Sequence, residues 1–309
     1  EPDQEAIREL RQAQESLEKE MTISQRVKAS QLEEVDLGTK DKPRPVNVAK
    51  EMPNDEKKAM IELLMTFRDM FAWSYEDMRG LDPQLYQHQI HLNIDAKPVA
   101  QRRYRMNSNY VAKVKEEIDK LLIVGFIQPI KQATWLSAIV VVPKKNGKIR
   151  VCIDYRKLNV ATVIDAFPLP FTDGVLDAVA RHEVYSFLDG FSGYNQIGMH
   201  PVNHDKTAFV TEWGVFVAVV MMFGLKMASA TFQRNIMEIF GEYILGFMQV
   251  FLDDFAVYSR QTEHLDHLRL CLEKCREYRL SLNPAKCVFG VTSGDLLSHI
   301  VSKDGIAVD

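Results

Sequence analysis

The sequence predicts an α+β fold built around a largely antiparallel sheet. Apolar runs of strand length come in neighbouring pairs, and amphipathic stretches of helical length stand between them. Asn146-Gly147 joins two of the runs, SAIVVVPKK and KIRVCIDYR, and Asn-Gly between apolar runs is the strongest short signal for a hairpin. Strands joined by hairpins and packed by helices are typical of an antiparallel sheet.

The N-terminal part differs in composition from the rest. Residues 1–60 join a charged, helix-forming stretch, EAIRELRQAQESLEKEM, to the proline-containing segment DKPRPVNVAKEMPND. Few large apolar residues recur there, so we expect a charged helical or disordered linker, with an extended connection at the prolines. Packed structure is expected from near Lys57, because IELLMTFRDMFAW has apolar residues at helical spacing.

The remaining elements follow from local signals. NYVAKVKEEIDKLLIV is predicted as an amphipathic helix with Ser108 as its N-cap and Gly125 at its end. QHQIHLNI is predicted as a strand, and VYSFLDG as a strand that ends at Asp189. A second hairpin is expected to turn at Glu212-Trp213-Gly214. Further helices are predicted at 171–180, at 226–243 and in HLDHLRLCLEKCREYRL, and short closing strands in CVFG and LLSHIV.

Length and composition narrow the class of protein. At 309 residues and 46% hydrophobic content the chain can bury a sizeable core. We expect no membrane span, because no long apolar run occurs, and the charged start shows no signal peptide. The four cysteines are too scattered for a disulfide framework or a zinc site, so an intracellular setting is expected.

The net charge of −4 argues against a nucleic-acid partner, but the distribution of charge argues for one. Residues 143–157, PKKNGKIRVCIDYRK, carry six basic residues against the single acid Asp154. The hairpin would project this charge outward as a nucleic-acid contact. A hairpin with ordinary solvated lysines is the alternative.

An adjacent pair of carboxylates, Asp253 and Asp254, stands between the apolar runs MQVF and FAVYS. Two ionised acids at an apolar site are costly unless a cation neutralises them. A simple hairpin turn is the alternative, since Asp is common in turns. The apolar flanks indicate a turn on a buried sheet, and Asp189 ends another apolar strand. Three such acids suit Mg²⁺ and two-metal phosphoryl transfer.

These motifs resemble the reverse transcriptase region of a gypsy-type LTR retrotransposon Pol polyprotein, of the kind common in plants. The resemblance runs from about Phe71 to the C-terminus and is carried, in the family's order, by FAWSYEDMRGLDP, LLIVGFIQPI, VPKKNGKIRVCIDYRKLN, FPLP, FLDGFSGYNQI, KTAF, FGLKMASATFQR, FLDDFAVYS, LNPAKCVFG and SHIVSKDGI.

The resemblance implies a right-hand polymerase with fingers and palm, the palm being a ferredoxin-like antiparallel sheet backed by helices. It places an N-terminal extension packing on the fingers at 61–98, fingers at 99–167 and 197–227, and palm at 168–196 and 228–309. Because the chain ends soon after SKDGIAVD, we expect the thumb, RNase H and integrase regions to be absent.

The resemblance also implies roles for particular residues. Asp189, Asp253 and Asp254 would be the catalytic residues and hold two Mg²⁺ ions, with Mn²⁺ able to substitute. The residues implied in nucleotide binding are Lys144, Lys145, Arg150, Tyr194, Phe223 and Gly224, with Tyr194 as a steric gate against a 2′-hydroxyl. Leu297, Ser298 and His299 would form the primer grip.

The implied function is RNA-directed DNA polymerisation, in which a primer 3′-hydroxyl is extended with dNTPs on an RNA or DNA template. The implied partners are the template–primer and other Pol domains (protease, RNase H, integrase), within a cytoplasmic virus-like particle if the element is active. Several residues depart from the family's pattern: Phe251, Met222, Met227, Ser229, Leu296 and Ser298. A silent remnant that only binds nucleic acid, and a metal-dependent nuclease, are therefore the alternatives.

Overall fold

A computed structural model describes residues 29–143 and 149–308. The helices are α1 (Asn54–Thr66), α2 (Ser108–Ile123), α3 (Arg156–Ala161), α4 (Thr172–Val179), α5 (Ala228–Phe240) and α6 (His264–Glu277). The strands are β1 (Leu32–Asp36), β2 (Pro45–Ala49), β3 (Gln87–His88), β4 (Ile127–Pro129), β5 (Ser137–Pro143), β6 (Ile149–Ile153), β7 (Val184–Asp189), β8 (Gly198–Met199), β9 (Phe209–Val210), β10 (Val215–Ala218), β11 (Met248–Phe251), β12 (Asp254–Ser259), β13 (Val288–Val291), β14 (Ser293–Leu296), β15 (His299–Ser302) and β16 (Gly305–Val308).

A six-stranded sheet, here called the main sheet, organises the molecule. Its strand order is β1-β2-β13-β7-β12-β11, and every neighbouring pair is antiparallel except β2 with β13. All six residues of β7 are buried, because helices cover one face of this strand and α4 with the β14-β15-β16 sheet covers the other. The α+β prediction is confirmed.

The two faces of the main sheet follow from the alternation of side chains along each strand. Leu188 and Phe255 face the large core that includes Ile236 of α5 and Leu268 of α6. Tyr185 and Phe187 point the other way, into a smaller core with α4. The sheet is therefore fixed from both sides, which makes the ends of its strands a rigid edge.

A second sheet, of order β4-β10-β9-β5-β6, takes all its strands from 99–167 and 197–227, the ranges predicted as fingers. The predicted hairpin of SAIVVVPKK and KIRVCIDYR is confirmed, with Pro143 paired to Ile149. The hairpin at Glu212-Trp213-Gly214 is also confirmed, as β9 and β10. Helix α2 begins and ends within one residue of its predicted bounds.

The prediction of a linker at 1–60 is wrong for residues 29–60. β1 and β2 form a hairpin at the end of the main sheet, and Val46 and Val48 are fully buried. The reason is long-range pairing, since β2 lies beside β13, some 240 positions later in the sequence. The helix predicted in EAIRELRQAQESLEKEM lies outside the described residues.

The segment 61–98, predicted to pack on the fingers, begins against helix α6, and its strand β3 pairs with β8 from the range predicted as fingers. Arg276 of α6 donates hydrogen bonds to the Asp69 carboxylate and to the carbonyl of Thr66. The predicted strand QHQIHLNI is also shorter than expected, because its regular pairing covers Gln87 and His88, with β8, and beyond them Leu92 forms a single bridge to Thr162. In the described residues no helix is both long and apolar enough to span a bilayer.

Candidate active site

The three predicted acids meet at one edge of the main sheet. Asp189 ends β7, and its backbone lies directly opposite Asp254, the first residue of β12. Asp253 occupies the two-residue turn between β11 and β12, because Phe251 pairs with Asp254. The backbone N–H of Gly190 donates to the carbonyl of Asp253 at 3.1 Å, which ties this turn to the end of β7.

Asp253 is the most constrained of the acids. Its Oδ1 is buried and has no hydrogen-bond partner within the described residues. Burial, followed by the charges of Asp189 and Asp254, raises the pKa of Asp253 to about 6. Burial and then Asp189 likewise raise the pKa of Asp254. The site therefore holds more negative charge than its surroundings stabilise, which favours binding of a cation.

Gly193 gives Asp253 the room it occupies. A Cβ at position 193 would lie 2.0 Å from Asp253 Oδ1 and 2.9 Å from the ring of Phe232. No side chain could be placed there without displacing the carboxylate or the ring. The convergence of the three acids at this sheet edge thus depends on a glycine for which no role was predicted.

The turn that carries Asp253 is held by Gln233, a fully buried residue of α5. Its Nε2 donates to the carbonyl of Val250 at 3.1 Å, and its Oε1 accepts from the N–H of Leu252 at 2.7 Å. Leu252 has φ of 52°, a left-handed conformation that costs a branched residue free energy. β11 is the last strand of the main sheet, and the amide of Gln233 forms hydrogen bonds with its backbone in place of a further strand. These hydrogen bonds stabilise the turn.

A lysine lies beside the acids. Lys286 Nζ donates to Asp189 Oδ2 at 2.8 Å, and the segment before β13 also bonds the backbone of Asp189, through the N–H of Asn283 and the Sγ of Cys287. Partial burial would lower the pKa of Lys286, but the hydrogen bond to Asp189 and the charges of the three acids raise it.

The donor set suits a hard divalent cation, since it offers carboxylate oxygens and one oxygen that lacks a partner. In the described part of the chain, however, no three His, Cys, Asp or Glu side chains are already arranged to hold an ion. Lys286 instead provides the positive charge next to Asp189. A cation would have to replace this ammonium and draw the carboxylates together.

Tyr194 and Phe223 form an aromatic platform next to the acids. Their ring centroids are 4.9 Å apart, and Phe232 contacts Tyr194 from the other side at 5.6 Å. The Tyr194 hydroxyl bonds Ser229 Oγ at 2.7 Å, so the departure at Ser229 supplies a partner for the ring. Burial raises the pKa of Tyr194, which therefore keeps its proton at neutral pH.

Arg150, Phe223 and Gly224 line a common cavity of about 330 Å³, which β6 and helix α2 also border. Phe223 is more than half exposed there, and Gly224 has φ of 95°, which favours glycine. The structure thus brings Arg150 and the aromatic platform to one space. Lys144 and Lys145 lie outside the described residues.

The predicted primer grip occupies a different sheet. Leu297 and Ser298 form the turn between β14 and β15, and His299 begins β15, with its Nδ1 at 2.9 Å from the carbonyl of Leu297. The hairpin packs against β7, where a Cβ on Gly294 would meet the Phe187 ring at 2.5 Å. It lies on the face of the main sheet opposite α5, so a primer role for it stays a prediction.

Sequence reasoning missed the roles of Lys286, Gln233 and Gly193. Lys286 contacts Asp189 across 97 positions, and a single lysine after Asn-Pro-Ala carries no signal of this contact. Gln233 offers a signal, because it is a polar residue on the apolar face of α5, beside Phe232 and Ile236. A buried amide at such a position usually bonds backbone, and here it does.

Comparison with known proteins gives this arrangement a family. The profile described as reverse transcriptase (RNA-dependent DNA polymerase) matches residues 142–301. In Drosophila melanogaster, the retrovirus-related Pol polyprotein from transposon 412 is 32% identical over 267 residues, which cover 84% of this chain and 21% of that protein. The Pol polyprotein from transposon gypsy is 31% identical over 223 residues, covering 70% and 21%. The chain spans about a fifth of the length of these relatives.

Solved structures show the same fold. The foamy viral protease-reverse transcriptase in complex with an RNA/DNA hybrid matches with a TM-score of 0.76 at 20% identity, over 87% of this chain and 38% of that one. Its complex with double-stranded DNA matches with a TM-score of 0.75 at 21% identity, over 84% and 45%. With a family profile that covers more than half of its residues and this shared fingers-and-palm architecture, the chain belongs to the reverse transcriptase (RNA-dependent DNA polymerase) family.

Proposed function

We propose that this chain is the fingers and palm of an RNA-directed DNA polymerase, which extends a primer 3′-hydroxyl with dNTPs. One observation carries the proposal: Asp189, Asp253 and Asp254 stand at one rigid sheet edge, and among the described residues one oxygen of Asp253 has no partner. Neighbouring carboxylates with raised pKa values are typical of sites that bind a cation and act on phosphate.

Each acid has a distinct part in the proposal. Asp189 and Asp253 would hold Mg²⁺, with Mn²⁺ as a substitute, and Asp254 would assist. When bound, two such ions lower the pKa of the attacking hydroxyl and neutralise the charge of the leaving pyrophosphate. The chain's own contribution is positioning: Gln233 fixes the turn, and Lys286 neutralises Asp189 until a cation takes its place.

The nucleotide would lie between the aromatic platform and the fingers hairpin. The ring of Tyr194, held by Ser229 and flanked by Phe223, would exclude a 2′-hydroxyl and so select deoxynucleotides. Arg150, together with Lys144 and Lys145, would contact the triphosphate, since arginine binds phosphate oxygens in pairs. Leu297, Ser298 and His299 would contact the primer.

The parent protein, in this proposal, is the Pol polyprotein of a gypsy-type plant retrotransposon, with protease, RNase H and integrase regions and a virus-like particle as its setting. The relatives named as Pol polyproteins support the first part. A template–primer of RNA or DNA is the proposed partner, because the foamy viral relative is solved with an RNA/DNA hybrid and with double-stranded DNA.

Primer extension on an RNA template, in Mg²⁺ or Mn²⁺, tests the function. We expect extension that Asp253→Asn abolishes, while Asp295→Asn, which changes an exposed acid on β14, leaves it intact. Binding of the template–primer without extension would support the silent remnant instead, and cleavage of the template would support the nuclease. Binding should weaken steeply with salt, because phosphate contacts release counterions.

A further inference from the structure

A basic pocket that the site does not use opens beside the β1–β2 turn. The turn and the segment 68–79 enclose a cavity of about 440 Å³. Four basic side chains and two acids line it, together with Phe71 and turn residues: Lys42, Arg44, Arg68, Arg79, Asp69 and Asp77. We call this space the arginine pocket.

The basic side chains of the arginine pocket outnumber its acids. Asp77 is neutralised by Arg44 at 3.0 Å, and Asp69 is bonded from outside the pocket by Arg276 of α6. Arg68 donates to the carbonyl of Leu37 but forms no ion pair within 29–143 and 149–308. Arg79 is half exposed and reaches Asp69 only at 3.9 Å. Two guanidinium groups therefore face the cavity without a close counter-charge, which favours an anionic ligand.

The pocket lies on the same edge of the main sheet as the acids. β2 and β13 start at the edge where β7 ends, so the edge carries Arg44, Lys286 and Asp189 in that order. β2 and β7 are separated by one strand, and at strand spacing of about 4.8 Å the pocket begins about 10 Å from β7. Two basic side chains, Lys286 and Arg44, therefore follow one another along the edge from Asp189 to the pocket.

Backbone contacts join the pocket wall to the site. Phe71 pairs with Leu282, and Leu282 pairs in turn with Gly190, the residue after Asp189. On the other wall, the N–H of Arg79 donates to Ser281 Oγ at 3.4 Å. The pocket and the acids are therefore parts of one packed unit, and their spacing is fixed.

We propose that the arginine pocket binds inorganic pyrophosphate after it leaves the acids. The inference rests on the proposed function, whose reaction releases one pyrophosphate for each nucleotide added. The pocket fits the anion better than a whole nucleotide, because it offers no free ring for a base: Phe71 is buried, and Arg44 covers the face of Trp73. Lys286 stands between the two positions.

Calorimetric titration of the full chain with inorganic pyrophosphate, without metal or nucleic acid, tests the pocket. We expect Arg79→Gln to weaken binding by about tenfold, since a charged hydrogen bond to phosphate is lost, and Arg269→Gln, on the exposed face of α6, to leave it unchanged. Asp69→Asn should strengthen binding, because it removes a negative charge from the pocket. Equal affinities in all four proteins would overturn the proposal.

Titrations with other phosphate compounds show which of them the pocket prefers. Titration with orthophosphate, with dATP and with a short DNA duplex should show Arg79→Gln affecting pyrophosphate most. An effect confined to the duplex would assign the pocket to nucleic acid and overturn the proposal. In primer extension, inhibition by added pyrophosphate should be weaker for Arg79→Gln. If no protein extends a primer while pyrophosphate binding still depends on Arg79, the proposed polymerase function fails and the pocket stands.

Discussion

At the scale of single residues, Asp253 is a buried carboxylate that the fold holds close to two other acids. Its carboxylate is confined by Gly193 and Phe232 and faces two other acids, and Oδ1 has no partner in the part of the chain that the structure describes. Confinement fixes the position of the carboxylate oxygens, and repulsion between the three carboxylates favours binding of a cation. The same properties make the free protein sensitive to pH.

We expect Asp253→Asn to stabilise the metal-free protein at pH 8. The pKa of Asp253 is raised from 3.8 to about 6 on folding, so its charged form is disfavoured in the native state. This destabilisation is present above pH 6 and vanishes below the unfolded value, so the variant's advantage, about 3 kcal/mol, should disappear between pH 6 and 4. Urea unfolding in chelator at several pH values measures it.

Asp295→Asn serves as the matched control, since Asp295 is exposed on β14. A pH-independent difference between the wild type and Asp253→Asn would show that Asp253 is not held in its charged form against repulsion. Buried His264, whose pKa burial lowers to about 3, changes stability in the opposite sense, but it does so equally in both proteins.

Gln233→Leu should lower kcat by about tenfold or more, because the buried Val250 carbonyl and Leu252 N–H lose their partner and the turn relaxes. KM for dNTP should change little, since the nucleotide contacts lie on other elements. Steady-state kinetics on a primed template, with Glu238→Gln on the exposed side of α5 as control, measure the split. A loss of thermal stability with unchanged kcat would count against the positioning role.

At this scale the sequence predicts where the acids lie, but not which residues hold them in position. Asp189 ends a strand, and Asp253 and Asp254 lie at a sheet turn, as their apolar flanks indicate. Lys286 acts through a contact between distant segments, about which spacing along the chain carries no information. For Gln233 the sequence signals a buried amide on α5 but not the turn that this amide holds. The resemblance to the family supplied Tyr194 and Arg150, and chemistry alone did not.

At the scale of elements, the β14–β15 hairpin shows a turn whose residues do not suit it. Leu297 and Ser298 have φ of 52° and 63°, and a turn with two positive φ values favours Asn-Gly. Ser298 is one of the departures from the family's pattern, and it lies at a position whose φ is positive. The hairpin holds its shape because Leu297 packs into the smaller core.

Ser298→Gly should therefore raise the free energy of unfolding by about 1 kcal/mol, since glycine adopts this conformation without a Cβ clash. Ser298→Ala is the matched control, because alanine keeps the Cβ and should give no gain. Chemical denaturation of the two variants beside the wild type measures the difference. Equal stabilities of the glycine and alanine variants would contradict the strain.

Local signals predicted the elements that depend on local sequence. Helix α2, with its terminal glycine, and the paired strands of the two fingers-side hairpins are where periodicity and turn residues put them. The predicted N-cap Ser108 is wrong by one residue, because the side chain of Asn107 accepts the hydrogen bond from the N–H of Asn109. β1 and β2 were missed for a physical reason. Their prolines and charges indicate a connection, and only the partner strand β13 makes them part of a sheet.

At the scale of the whole molecule, the N-terminal hairpin belongs to the fold. β2 covers β13, and the Trp73 indole N–H donates to the carbonyl of Pro45 at 3.1 Å. Leu37, Val46 and Val48 are buried in the large core. A region that composition marks as a linker thus closes one end of the main sheet and forms a wall of the arginine pocket.

A chain that begins at residue 51 should be unfolded or loosely packed at 37 °C. Loss of three buried aliphatic side chains costs about 5–10 kcal/mol, comparable to the stability of a whole domain. Circular dichroism melts against the full chain measure this. Val48→Asp in the full chain, which places a charge at a fully buried position, should act in the same direction, and an unchanged melting temperature in both would contradict the role of the hairpin.

Gly193 also matters when related sequences are compared with this one. The three aspartates alone do not define the geometry of this sheet edge. Since any side chain at this position would collide with the Asp253 carboxylate, a copy with three aspartates and a substituted glycine would carry a displaced acid. A substitution at position 193 is therefore expected to disturb this edge even where all three aspartates are kept.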